Sequence, residues 1–215
     1  MAKIGKKEKK KKKREPASYF IGSEGKKTEV IYFTKFSEML IDGYEALDGK
    51  ISIEDVPSFD IHGVGTSNFR LIEDVENYLR KSPKIYENIW ILFDLDDIPL
   101  DYFDNAIESA KSKGYKVAWS NDSFELWYLL HFEYLQSAIT RAQYQEKLDK
   151  YLQKEGYKGY SKTDEGIFDF LVDKTEIAIS NSEKLLNDFC GCPCSKKNPC
   201  TNVSALVSEL LSLKK

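Results

Sequence analysis

Long apolar runs are missing from this 215-residue chain; none approaches the ~18 residues of a membrane-spanning helix, and no signal peptide precedes the first candidate strand. No membrane-spanning helix is expected, and a cytoplasmic location is. Histidine is scarce, at two residues. His62 stands alone at a strand end, and His131 sits in apolar company that suits a core histidine better than a general base. Cysteine is confined to Cys190, Cys192, Cys194 and Cys200. A disulfide framework is disfavoured in a reducing compartment, and the Cys-x2-Cys spacing usual for zinc is absent. Zinc at these four residues and free or redox-active thiols stand as alternatives. There is no internal repeat and no sign of a second independent domain.

What is present is apolar content of 41% and charged content of 31%, the balance of a globular protein long enough to bury a core. The net charge of −3 conceals an asymmetry, because residues 1–14 carry +8 and leave −11 for the remainder. A basic tail is attached to an acidic body. Such a tail is either solvated and disordered or a tether that holds nucleic acid through its phosphates, with steep salt dependence and no sequence preference.

The stretch that organises the chain is Asn88-Ile89-Trp90-Ile91-Leu92-Phe93-Asp94-Leu95-Asp96-Asp97. Five consecutive apolar residues read as a strand buried on both faces, and it ends in three carboxylates within four positions. Ligands of open parallel sheets bind at the carboxyl ends of the strands, and crowded carboxylates there call for a divalent cation. A second acid reaches the same edge early in the chain, since residues 17–21 read as a strand and Gly22-Ser23-Glu24-Gly25 as its turn into a helix.

Further strands are predicted over 58–62 and 115–119, with helices over 27–40, 68–80 and 102–113 between them. The alternation implies a parallel sheet with right-handed crossovers, a Rossmann-like α/β core. From Ser123 onward the pattern is helical: a segment over 124–132 too apolar for a surface helix, then 143–153, 165–189 and 203–213.

Four readings compete for the acids. The first is a phosphoryl-transfer site for Mg²⁺ or Mn²⁺, built from Glu24, Asp94 and Asp96 with Asp97 near. The second, a P-loop around Lys27-Thr28, fails because the required glycines would fall on Ile21 and Lys26. The third, an aspartyl phosphatase, would carry its acid pair after the first strand of the core, whereas here it follows the third. The fourth, a solvated acidic loop, leaves the position of Glu24 as coincidence. Glu125, in the apolar helix, needs a partner and reads as a metal ligand, a group behind the ligands, or half of a salt bridge. Lys26 and Lys27 at a helix start oppose the helix dipole unless a phosphate is bound. Ser120, Asn121 and Ser123 could hold phosphate or cap the helix.

Three separated stretches, Gly22-Ser-Glu24-Gly-Lys-Lys-Thr28-Glu29-Val-Ile-Tyr32-Phe33, Trp90-Ile-Leu-Phe-Asp94-Leu-Asp96-Asp97 and Ser120-Asn121-Asp122-Ser123-Phe124-Glu125-Leu-Trp127, resemble the RloB family and its AbiLii-like relatives. Asp122 departs from the family, which more often has Pro there. The resemblance implies a Toprim-type catalytic fold with a parallel central sheet over 17–120, a basic disordered tail over 1–16, and a helical C-terminal extension over 121–215 packed on the core. It further implies a Mg²⁺-dependent nuclease of bacterial antiviral defence, with Glu24 moving a proton and Asp94 and Asp96 holding the metal. A nucleic-acid substrate, a protein partner in a defence system and an oligomer are compatible with it. A non-catalytic regulatory or scaffold protein of the same fold is the rival.

Overall fold

The computed structural model describes residues 12–14, 17–47, 56–96 and 98–214. Asp97 and most of the basic tail lie outside them, so the expectations for both rest on sequence. Of the tail, Lys13–Arg14 (β1) pairs in parallel with Lys84–Ile85 (β4).

The central sheet is formed by Ser18–Ser23 (β2), Ser58–Gly63 (β3), Asn88–Asp94 (β5), Lys116–Asn121 (β6) and Cys200–Thr201 (β7). Their order is β3-β2-β5-β6-β7, and every pairing is parallel except the last. The chain moves from β2 outward to β3, then crosses back over β2 to reach β5. The direction of winding therefore reverses between β2 and β5, and a crevice opens there at the strands' carboxyl ends. Glu24 follows one of these strands and Asp94 ends the other.

Thr28–Glu45 (α1), Asn68–Lys81 (α2) and Leu100–Ser112 (α3) make the crossovers. Helices α2 and α3 pack on each other and on β2, β5 and β6. Helix α1 turns its aromatic stripe, Tyr32, Phe33 and Phe36, toward Phe124, Trp127, Tyr128 and Phe168, in mostly edge-on or tilted ring contacts 5.3–6.4 Å apart. This cluster joins the first half of the chain to the second. The apolar segment predicted over 124–132 is a short helix, Glu125–Leu129 (α4), with all five residues buried.

Arg141–Lys154 (α5) starts two residues earlier than its periodicity suggests. Thr140 and Gln143 form a capping box, which fixes that start. The long helix predicted over 165–189 is broken into Ile167–Leu171 (α6), a 3-10 turn at Val172–Lys174, and Thr175–Asp188 (α7). The Thr175 hydroxyl donates to the Val172 carbonyl at 2.7 Å, competing with the regular helical ladder at the break. Val203–Leu211 (α8) packs against α7 and β6. Strand β7, two residues long, is too short to leave a periodic pattern. It is secured by Asn202, whose Oδ1 accepts from the Trp119 amide at 2.6 Å and whose Nδ2 donates to the Val117 carbonyl at 3.0 Å. Among the described residues no helix is long and apolar enough to cross a membrane.

One glycine sets the position of the crevice. A Cβ on Gly63 would lie 2.5 Å from both the Gly25 carbonyl oxygen and Lys26 Cα, backbone atoms of the turn that carries Glu24. Gly63→Ala is expected to cost about 1–3 kcal/mol by overpacking and to displace that turn, as urea denaturation would show.

Candidate metal and phosphate site

The turn after β2 is pinned from several sides. The Glu24 amide donates to the Leu92 carbonyl at 3.3 Å, and the Glu24 carbonyl accepts from the Gly65 amide at 3.0 Å. The Ser23 hydroxyl donates to the Gly25 carbonyl at 2.8 Å, and the Gly25 amide donates to Glu29 Oε1 at 3.2 Å. So held, the Glu24 carboxylate reaches β5, where the Asp94 amide donates to its Oε2 over a long 3.5 Å.

Asp94 is held from the other flank. Its Oδ2 accepts from the Phe124 amide at 3.2 Å, just ahead of α4. The Asp96 amide donates to the Asp122 carbonyl at 3.1 Å, and Asp96 itself has φ of 42°, a left-handed conformation that Asp tolerates. The backbone from Asp122 to Phe124 thus supports both aspartates.

Around these acids lies a cavity of about 590 Å³, whose lining includes the cations Lys26, Lys27, Arg70, Arg141 and Lys162. Lys26 and Lys27 are exposed at its rim, as a phosphate-binding role requires. Arg141 is central. Its Nη1 lies 2.7 Å from Asp96 Oδ1, its Nη2 3.5 Å from Asp94 Oδ2, and its Nε 3.9 Å from Glu125 Oε2.

The charges here are costly to maintain. Burial pushes Glu24 up to about 7, helped by Asp96 and opposed by the Asp94 amide. Burial also raises Asp94 well above the usual carboxylate range, with Glu29, Asp96 and Glu125 adding to the effect and Arg141 resisting it. Glu29, buried at the start of α1, is raised by burial and by Glu125. Glu125 behaves oppositely: burial works against its charge, but Ser123 alongside it, Lys162 and Gln145 outweigh that and hold it below its ordinary value.

Glu125 is also the most fully engaged of the acids. Its Oε1 accepts from Gln145 Nε2 at 2.9 Å and from the Tyr160 hydroxyl at 3.1 Å, with Lys162 Nζ at 3.5 Å. Among the roles open to it, this geometry matches a group behind the ligands, one that ties α5 and the 155–166 loop to the site.

The raised values have a consequence for stability without bound cations. Between about pH 4.5 and 7 the unfolded chain has released the Glu24 proton while the folded protein keeps it. The unfolded state then binds fewer protons, so stability falls as pH rises through this window. Asp94 and Glu29 act in the same direction. Glu125, with its depressed value, contributes stability that is present above its unfolded pKa and lost as pH falls below it. Metal-free protein should therefore melt lower at pH 8 than at pH 5.5. Glu24→Gln should recover about 1–2 kcal/mol at pH 8, a figure reduced for partial exposure.

Several residues singled out from sequence do not reach the cavity. Ser120 is buried with its hydroxyl 3.0 Å from that of Thr201, and Asn121 donates to the Ser195 carbonyl at 3.2 Å. Both are spent on attaching β7 and the 3-10 turn at Cys194–Lys196 that precedes it, because β6 runs on to Asn121 rather than stopping at 119. Ser123 is buried beside Glu125. His62 packs on Tyr78 and Phe20, and His131 is enclosed with Nδ1 2.9 Å from the Trp127 carbonyl. Burial drives His131 down to about 4, so it is neutral at physiological pH.

The four cysteines are free and unalike: Cys190 and Cys192 are exposed, Cys194 is half-buried, and Cys200 lies inside β7 with its thiol pushed up to about 12 by burial. Among the described residues no three or more of His, Cys, Asp and Glu form a group that could hold a metal ion, so the structure does not gather these thiols around zinc. The same holds for the described acids, among which Arg141 stands. Their donor chemistry nonetheless fits a hard divalent cation, since Asp94, Asp96 and Glu24 offer only carboxylate oxygens and a cationic group already lies between two of them.

A protein-family model described as RloB-like protein matches residues 19–210. The chain belongs to the RloB-like family. The match spans the central sheet except Ser18 and every residue lining the cavity in this RloB-like chain. No curated protein and no solved structure matches it.

Arg141 and Glu29 stand out among the site residues, Arg70 and Lys162 included, that the sequence alone does not bring to the cavity. Arg141 had a signal, being the only arginine after Arg80 in a chain rich in lysine and directly following the Thr of a Thr-x-x-Gln cap. Glu29 had a weaker one, its spacing of four from Gly25 across a helix start.

Proposed function

We propose that this protein is a metal-dependent nuclease with a Toprim-like, Rossmann-like core that hydrolyses phosphodiester bonds of RNA or DNA in bacterial antiviral defence. The observation that carries the reading is the approach of Glu24 to the end of β5, which brings acids from the two strands flanking the winding reversal to one crevice ringed by cations. Asp94 and Asp96 would hold Mg²⁺ or Mn²⁺. When bound, that ion supplies charge neutralisation at a phosphate and a more acidic water. Glu24, with a pKa near 7, is matched to exchanging a proton at neutral pH. Lys26, Lys27, Arg70 and Lys162 attract and orient the phosphate backbone in an otherwise acidic body, and the basic run over 1–14 supports the same partner. A cytoplasmic setting and a protein partner from the same defence system complete the reading.

The rival, a nucleotide- or partner-binding scaffold without catalysis, draws support from Arg141, which neutralises Asp94 and Asp96 directly. Incubating purified protein with RNA and DNA in Mn²⁺ or Mg²⁺ separates the two. Cleavage that disappears in Asp94→Asn supports the nuclease, and metal or nucleotide binding without cleavage of any substrate supports the scaffold.

A further inference from the structure

We propose that Arg141 is an exchangeable counter-ion: it bridges Asp94 and Asp96 in the free protein and transfers to a substrate phosphate once a divalent cation takes those carboxylates. The proposal rests on the metal-site reading above and assigns a role to a residue outside the expected ligand set.

Three observations support it. First, the guanidinium contacts the two carboxylates from two different nitrogens, Nη1 on Asp96 and Nη2 on Asp94. A cation bound by that pair would compete with it for the same oxygens. Second, Arg141 has the freedom to leave. Its backbone is fixed at the first turn of α5 by the Thr140 cap, but its side chain is 38% exposed and faces the cavity. Glu125 would not be abandoned by the move, because Gln145, Tyr160 and Lys162 hold its Oε1 and the Arg141 contact to Oε2 is a distant 3.9 Å. Third, Arg141 Nε is buried without a hydrogen-bond partner. An arginine carries five donors in a planar fork suited to the paired oxygens of a phosphate, and an unmet donor at a cavity wall is unusual enough to need an acceptor. The carboxylates and the phosphate thus take turns with one guanidinium.

In this role Arg141 is a positioning residue that links metal loading to substrate capture. The test compares full-length protein with Arg141→Gln and Arg141→Lys, each first shown to be folded by its melting curve. Binding of Mn²⁺ alone is measured by electron paramagnetic resonance. Binding of a fluorescent oligonucleotide is measured by anisotropy in Ca²⁺. Arg141→Gln should bind Mn²⁺ roughly tenfold more tightly and the oligonucleotide roughly tenfold more weakly, with Arg141→Lys in between on both. A merely structural arginine would lose both affinities together. Unchanged or weaker Mn²⁺ binding in folded Arg141→Gln overturns the exchange while leaving the metal site standing. Absence of Mn²⁺ binding in the unaltered protein overturns the metal site and the exchange with it.

Discussion

Asp94→Asn should abolish Mn²⁺-dependent cleavage, by about 10³-fold or more, while leaving the protein at least as stable as before. The two halves of that expectation come from the same geometry. Asp94 is 7% exposed, its charge is opposed by burial and by Glu29, Asp96 and Glu125, and its ordinary role in the fold is to accept the Phe124 amide. Asparagine keeps the shape and an acceptor for that amide but removes the charge, so the fold loses little and gains relief from repulsion. A divalent cation, in contrast, loses a hard anionic donor that a neutral amide replaces poorly. Loss of cleavage with an unchanged or higher melting temperature would locate the defect in chemistry. Cleavage that persists in a preparation free of wild-type protein would remove β5 from the mechanism.

Glu125→Ala carries the second large effect, and it separates a positioning group from a metal ligand. Removing this carboxylate strands the Tyr160 hydroxyl and the Gln145 amide and leaves Lys162 and Arg141 without their shared anion. Breaking a buried pair from one side costs about 3–5 kcal/mol, but both cations are partly exposed and can be rehydrated. A net loss of about 2 kcal/mol in urea denaturation is therefore expected. Cleavage should fall as well, since α5 and the 155–166 loop lose their common anchor at the cavity. Mn²⁺ should still bind with the same stoichiometry. Loss of the ion together with Glu125 would instead make it a ligand and would shift the centre of the site from β5 toward α4.

The parts of this site that could be read from sequence are those where local pattern and position agree. Ile89 to Phe93 form an unbroken apolar run because both faces of β5 are covered, and the abrupt acids after it mark the sheet edge. Glu24 is visible because glycines bracket it in a strand-to-helix turn. Arg141 and Glu29 are harder. Both sit at helix starts where a polar residue is unremarkable, and only tertiary packing turns them inward to a cavity formed by segments more than a hundred residues apart. Ser120 and Asn121 were misjudged for the opposite reason. Polar residues after an apolar strand look like a cap, yet here β6 continues through them to meet a two-residue strand that no periodicity announces.

That two-residue strand has a temporal consequence. Asn202 reaches back 83 positions to occupy backbone groups of β6 that would otherwise offer a ladder to any passing strand. During synthesis β6, and with it the support for Leu95 and Asp96, emerges well before its cover does. Until residues 200–202 leave the ribosome the outer edge of β6 has no partner strand, so the closing of this sheet edge waits on the last tenth of the chain.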